Sequence, residues 1–222
     1  MELFVNYFFL FIICIIIINL WKNKNKDISL VKSSIDGDSY LVRNLSDNKE
    51  AANRLAFIRN KLTEVVKLLK PETNSTKTLY NKYIKGDKKL NKEINYEEFD
   101  SCIKQIVSKY KDNAKTFSES TPTAKYTSYS VNKGEQLVFC LRLKKEGDRL
   151  VPKNTILFVA LHELSHLMTK SIGHGPDFWN NFRFILKVAI DNKIYYSVDF
   201  NNNPEPYCGI KITDTPYLPK EL

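Results

Sequence analysis

The hydrophobic pattern of this chain changes rhythm twice. From Leu3 to Leu20 (LFVNYFFLFIICIIIINL) the residues are apolar except for Asn6, Tyr7 and Asn19. Such a run, helical at 1.5 Å rise per residue, spans about 27 Å and just crosses a thin bilayer. Glu2 precedes it, and Trp21 with Lys22, Lys24 and Lys26 follows it, so the basic start and small-residue cleavage site of a signal peptide are missing. The pattern predicts an uncleaved single-pass anchor. Its basic flank puts the remainder of the chain in the cytosol. On that topology the sequons at Asn44 and Asn74 stay unmodified.

After the run, alternation and helical spacing take turns. LVKSSI and SYLVRN flank Asp36-Gly37 and predict a hairpin. From Asp47, an N-cap residue by type, Ala51, Leu55, Ile58, Leu62, Val65 and Leu69 recur at helical spacing until Pro71. A short helix is expected around Leu79 to Ile84. A longer one follows through YEEFDSCIKQIVSKYK, with Phe99, Ile103, Ile106 and Tyr110 on one stripe. Residues 112–123 are polar and end in Thr121-Pro122, which reads as a loop and a boundary. Tyr126 to Val131 and Leu137 to Leu143 then predict a second hairpin about Asn132-Lys133-Gly134. Its free edge offers main-chain groups to an extended peptide.

The third rhythm is apolar nearly all round: ILFVALHELSHLMTK, capped by Asn154 or Thr155, predicts a buried helix. All three histidines of the chain lie in HELSHLMTKSIGH, His162 to His174. His162 and His166 are one turn apart on one helical face, a workable bite for one zinc ion. Glu163 is rotated off that face, so it suits a proton-accepting role better than ligation. Gly173 can take the left-handed conformation that reverses the chain, which returns His174 as a third ligand. Pro176 suits the first turn of a further helix, whose core face is Phe178, Phe182, Ile185, Leu186 and Ala189. Asp177 either favours the positive end of that helix or orients His174. Three imidazoles leave a fourth position open, the arrangement of a catalytic site. An auxiliary oxyanion donor is expected from Tyr207, Arg183 or Tyr129. The tail after Tyr195 has a strand-like start and then a Pro- and Asn-rich path laid over the surface.

Composition changes this picture little. With 222 residues the chain suits one domain plus an appendage. It divides into the anchor (1–21), a basic stretch with the hairpin (22–46), a helical region (47–123) and a catalytic region (124–222). Lys plus Arg number 34 against 25 Asp plus Glu, a balance of +9. That charge suits nucleic acid or an anionic surface, yet the lysines are scattered and form no stripe. Cys14, Cys102, Cys140 and Cys208 make no CxxC, which favours a reducing compartment and leaves a pairing among Cys102, Cys140 and Cys208 open. Iron or cobalt can occupy a site of the same ligands.

HELSH followed by GHGPDFW resembles the SprT-like and WLM zinc metallopeptidases, whose pattern is HExxH and then Gly-His-x-Pro-acidic-Phe. The resemblance implies an α+β, zincin-like domain, a small sheet packed on the HExxH helix. It makes His162, His166 and His174 the zinc ligands and Glu163 the general base of peptide-bond hydrolysis. The stretch from about Tyr126 to Pro216 is also similar to membrane-anchored proteins of large DNA viruses. The expected function is a membrane-anchored zinc metallopeptidase acting on a protein substrate. A non-catalytic, membrane-tethered zinc-binding interaction module and a DNA-associated protease of the crosslink-repair type are the alternatives.

Overall fold

The computed structural model describes residues 7, 11–18, 27–143 and 147–219. Strands β1 (Ile28–Lys32) and β2 (Ser39–Arg43) pair antiparallel, with Leu30 opposite Leu41, around the Asp36-Gly37 turn. Alternation turns Tyr40 and Val42 inward, onto helix α1 (Asn48–Leu69). Its residues Ala51, Leu55, Ile58, Leu62 and Val65 are fully buried, as the helical spacing requires. The carboxylate of Asp47 makes no capping bond at this helix start; instead it accepts from Arg142 Nη1 at 2.8 Å. Arg142 in turn donates to Glu119 at 2.7 Å, both side chains being buried.

Helix α2 (Thr76–Leu79) runs into a π-helical turn (Tyr80–Lys85), followed by α3 (Leu90–Glu93) and α4 (Tyr96–Lys109). Asn95 caps α4 by accepting from the Glu98 N–H. A 3₁₀ turn (Ala114–Thr116) leads to β3 (Phe117–Glu119), inside the segment that reads as a loop. Three residues carry too little alternation to announce a strand. Phe117 and Glu119 are nonetheless buried, and β3 lies parallel to both β2 and β5 (Gln136–Phe139). Strand β4 (Tyr129–Val131) pairs antiparallel with β5. The sheet is therefore mixed, in the order β1-β2-β3-β5-β4, with β4 on an edge. It draws strands from both sides of residue 123.

A small antiparallel pair, β6 (Arg142–Leu143) and β7 (Arg149–Leu150), precedes the two helices that matter most. These are α5 (Lys153–Met168) and α6 (Pro176–Asp191). Helix α5 packs on α1, α4 and α6 and meets the sheet at β4, while α1 covers β1, β2 and β3. Neither Asn154 nor Thr155 caps α5; Pro152 occupies the N-cap position. Asn154 instead bonds the main chain of Tyr196 in both directions, and Thr155 donates to Glu205 at 2.6 Å. Both polar side chains are used to hold the tail. The tail itself forms a hairpin of β8 (Glu205–Tyr207) and β9 (Ile210–Ile212), with Cys208 and Gly209 at positive φ in the turn.

The single-pass anchor expected over residues 3–20 is corrected. Of these, residues 7 and 11–18 are described and helical; the others, and the flank Trp21 to Lys26, lie outside the described residues. Among the described residues no helix is long and apolar enough to cross a membrane. Crossing a ~30 Å hydrocarbon core takes about 20 consecutive apolar helical residues. The cytosolic placement, which depended on the anchor, goes with it. Apolar composition without demonstrated helical length was an insufficient signal.

Candidate metal centre

Helix α5 brings His162 and His166 to one face, with Nε2 atoms 3.3 Å apart. The chain then leaves the helix at Thr169, turns at Gly173 (φ +88) and presents His174, whose Nε2 lies 3.0 Å from that of His162. One ligand atom from each of the three falls within 4.8 Å of the others. Tetrahedral nitrogen ligands at ~2.0–2.1 Å from zinc stand roughly 3.3–3.4 Å from each other, so the residues present fit one such ion. Burial and the neighbouring imidazoles hold His162 well below the ordinary histidine value, at about 3. Burial, with His174 and Lys133, brings His166 to about 4. Both rings are thus neutral near pH 7, the state in which imidazole binds metal.

The loop from Thr169 to Gly175 is tied down from several sides. Lys133 Nζ donates to the carbonyls of Thr169 at 2.9 Å and Lys170 at 2.5 Å, favourably placed at the negative end of α5. Gln105 donates to Leu167 O and Thr169 O, and Asn181 donates to Thr169 Oγ1. Ser171 Oγ donates to Asp177 at 2.6 Å, so Asp177 braces the loop that carries His174. No capping bond forms at the start of α6, where Pro176 occupies the first turn as expected. Lys133 and Gln105 were missed as site-positioning residues because their partners are main-chain carbonyls, which leave no mark in sequence.

Glu163 is 5 % exposed, and burial raises its carboxyl to about 8; a cation at the three histidines would draw it down again. It lines two adjoining cavities, of about 370 and 520 Å³, that share His162, His174, Tyr126 and Ser128. Of the three candidate donors, Tyr207 lies in the first cavity with Glu163. Its hydroxyl is 2.5 Å from Ser128 Oγ. Burial pushes the phenol above its ordinary value, so it is a neutral O–H donor. Tyr129 lines the second cavity. Arg183 is engaged elsewhere, donating to Asp87 and to Pro216 O.

A disulfide joins Cys140 to Cys208 across 68 residues, one of the pairings the sequence left open and not the free thiols that a reducing compartment favours. Cys102 is free and buried. Because Cys208 follows Tyr207 directly, and the Cys140 N–H donates to Ser128 Oγ, the bridge fastens the tail hairpin to the wall of the same cleft.

Over 210 residues the chain is 33 % identical to the uncharacterized protein R325 of Acanthamoeba polyphaga mimivirus, covering 95 % of each. The chain belongs to the family of this viral protein. Shorter matches reach two iridescent-virus proteins. One is the uncharacterized protein 136R of Invertebrate iridescent virus 6, 33 % identical over 31 % of the chain and 38 % of that protein. The other is the uncharacterized protein 042R of Invertebrate iridescent virus 3, 34 % identical over 31 % and 42 %. The viral kinship expected from the Tyr126–Pro216 stretch is met. No family model matches the chain, and no solved structure matches it.

Proposed function

We propose that this protein is a zinc-dependent, zincin-like peptidase, akin to the SprT-like and WLM metallopeptidases, that hydrolyses peptide bonds in a protein substrate. The observation that carries the reading is the convergence of three imidazole nitrogens, at separations suited to one metal ion, beside a buried carboxylate in an open cleft. His162, His166 and His174 would hold the zinc. When bound, zinc supplies a Lewis acid that acidifies water and polarises a carbonyl. Glu163 takes the proton of the attacking water and returns it to the departing amine. Tyr207, held by Ser128, donates to the oxygen that gains charge. The free edge of β4, whose Tyr129 and Ser130 line the cleft, aligns an extended substrate through main-chain hydrogen bonds.

The test is Glu163→Gln. The variant is expected to retain one zinc per chain by metal analysis and to lose cleavage of a substrate identified by comparative proteomics against wild type. Unchanged turnover would overturn the mechanism. Loading with cobalt or iron in place of zinc settles which metal sustains the activity.

A further inference from the structure

We propose that one half of this cleft is a specificity pocket for a single large apolar side chain, aromatic or branched aliphatic, next to the scissile bond. The inference rests on the peptidase reading and names its substrate class. The two cavities meet at His162, Glu163 and His174 and then part. The larger half is walled by Tyr129, Ser130, Asn132, Lys133, Ser171 and Ile172, from an edge strand and two loops. The smaller, about 370 Å³, is walled by Phe158, Val159, Trp179, Phe182, Ile210 and Ile212. A substrate lying across the three histidines therefore places one side chain among the rings and branched aliphatics of the smaller half.

Three features make the smaller half a built pocket. Phe158 and Phe182 are 4 % and 1 % exposed, with ring centroids 5.1 Å apart, so its floor is fixed by the core between α5 and α6. Its volume is near the lower end of the ~300–1,000 Å³ of ligand pockets, which suits one large side chain. Ile210 is 54 % exposed in β9, facing the cavity from the hairpin that the Cys140–Cys208 bridge fastens. Filling the pocket with an apolar group takes that surface out of water. Apart from Glu163, the charged lining residues are Lys211 and Asp214. Both are exposed and opposite in sign, so the wall has no net charge with which to recognise an acidic or basic side chain.

The test uses quenched peptides identical except for one position beside the cleaved bond, occupied by Phe, Leu, Ala, Asp or Lys. Turnover is measured with zinc-loaded wild type. Binding is measured with zinc-loaded Glu163→Gln, by calorimetry and by tryptophan fluorescence in a Trp21→Phe background, which leaves Trp179 as the reporter. Phe and Leu peptides are expected to bind and turn over on the order of 10–100-fold better than Asp or Lys peptides, and Ile210→Asp is expected to erase most of the difference. Turnover that Glu163→Gln abolishes but that shows no side-chain preference overturns the pocket and leaves the peptidase reading standing. Preferential binding of apolar peptides without turnover by wild type does the reverse. Absence of any preference in binding overturns the pocket whatever the activity.

Discussion

Phe178 lies against His166 with ring centroids 4.3 Å apart and planes inclined by 27°. The same ring meets His162 and His174 edge-on, each at 4.7 Å, and is fully buried. One side chain thus touches all three imidazoles, a position from which it can orient them as hydrogen-bonded neighbours orient histidines in metal sites. Phe178→Leu keeps apolar volume but loses ring contacts worth about 0.5–1.5 kcal/mol each. It is expected to weaken zinc binding by roughly ten- to a hundredfold. Competition with a chromophoric chelator measures the change, and an unaltered affinity would show that the histidines hold their places without the ring.

What sequence makes legible here is local chemistry. Gly173 and Pro176 announce the turn and the helix start within four positions, because each depends on its own backbone preference. The burial of α5 follows from ILFVAL with no other knowledge. The partners of Asn154, Thr155 and Asp47 were not legible: each is a good capping residue by type, and each is drawn instead to a group more than 40 positions away. Strand β3 is three residues long and is defined by the neighbours it slots between. The β8–β9 hairpin hides in a Pro-rich stretch, and the pairing of Cys140 with Cys208 depends on where that hairpin lies. Tyr207 could be named as a candidate from residue type, but its place in the cleft beside Glu163 depends on where the tail lies.

Acid stability should reflect Asp87. Its carboxylate accepts from Arg183 at 2.9 Å and Lys187 at 3.0 Å, and from the Leu90 N–H. Burial alone would raise it; the bonds from Lys187, Leu90 and Arg183 outweigh that and lower it from 3.8 to about 2. Between those values the unfolded chain binds more protons, so stability rises with pH there. The contribution is present above pH 3.8 and is lost as pH falls through about 2. Asp87→Asn is expected to cost about 1.5–3 kcal/mol at neutral pH and to flatten the acid limb, read from denaturant midpoints across that window. A parallel profile in the variant would assign the acid sensitivity to other groups.

The bridge between Cys140 and Cys208 closes a loop of 68 residues in the unfolded chain. Cross-links of this kind contribute about 2–4 kcal/mol. Cys208→Ser is expected to lose about that much in guanidinium unfolding, and wild type treated with dithiothreitol should fall to the same midpoint. Equal stability with and without reductant would mean that the thiols are unpaired in solution.

The return of His174 to His162 and His166 turns on the backbone at Gly173. Gly173 has φ +88, and a Cβ built there meets nothing within 4 Å, so any cost of a side chain is conformational and not steric crowding by neighbours. An L-residue other than Asn or Asp pays about 1–2 kcal/mol for the left-handed region. Gly173→Ala should therefore shift the loop toward conformations in which His174 points elsewhere, weakening zinc binding by roughly 5–30-fold. Gly173→Asn, which visits that region more readily, should recover most of the loss although its side chain is larger. Chelator competition on the three proteins separates the two causes. If Asn were worse than Ala, size and not φ would govern the loop, and the backbone account of how the third histidine arrives would fail.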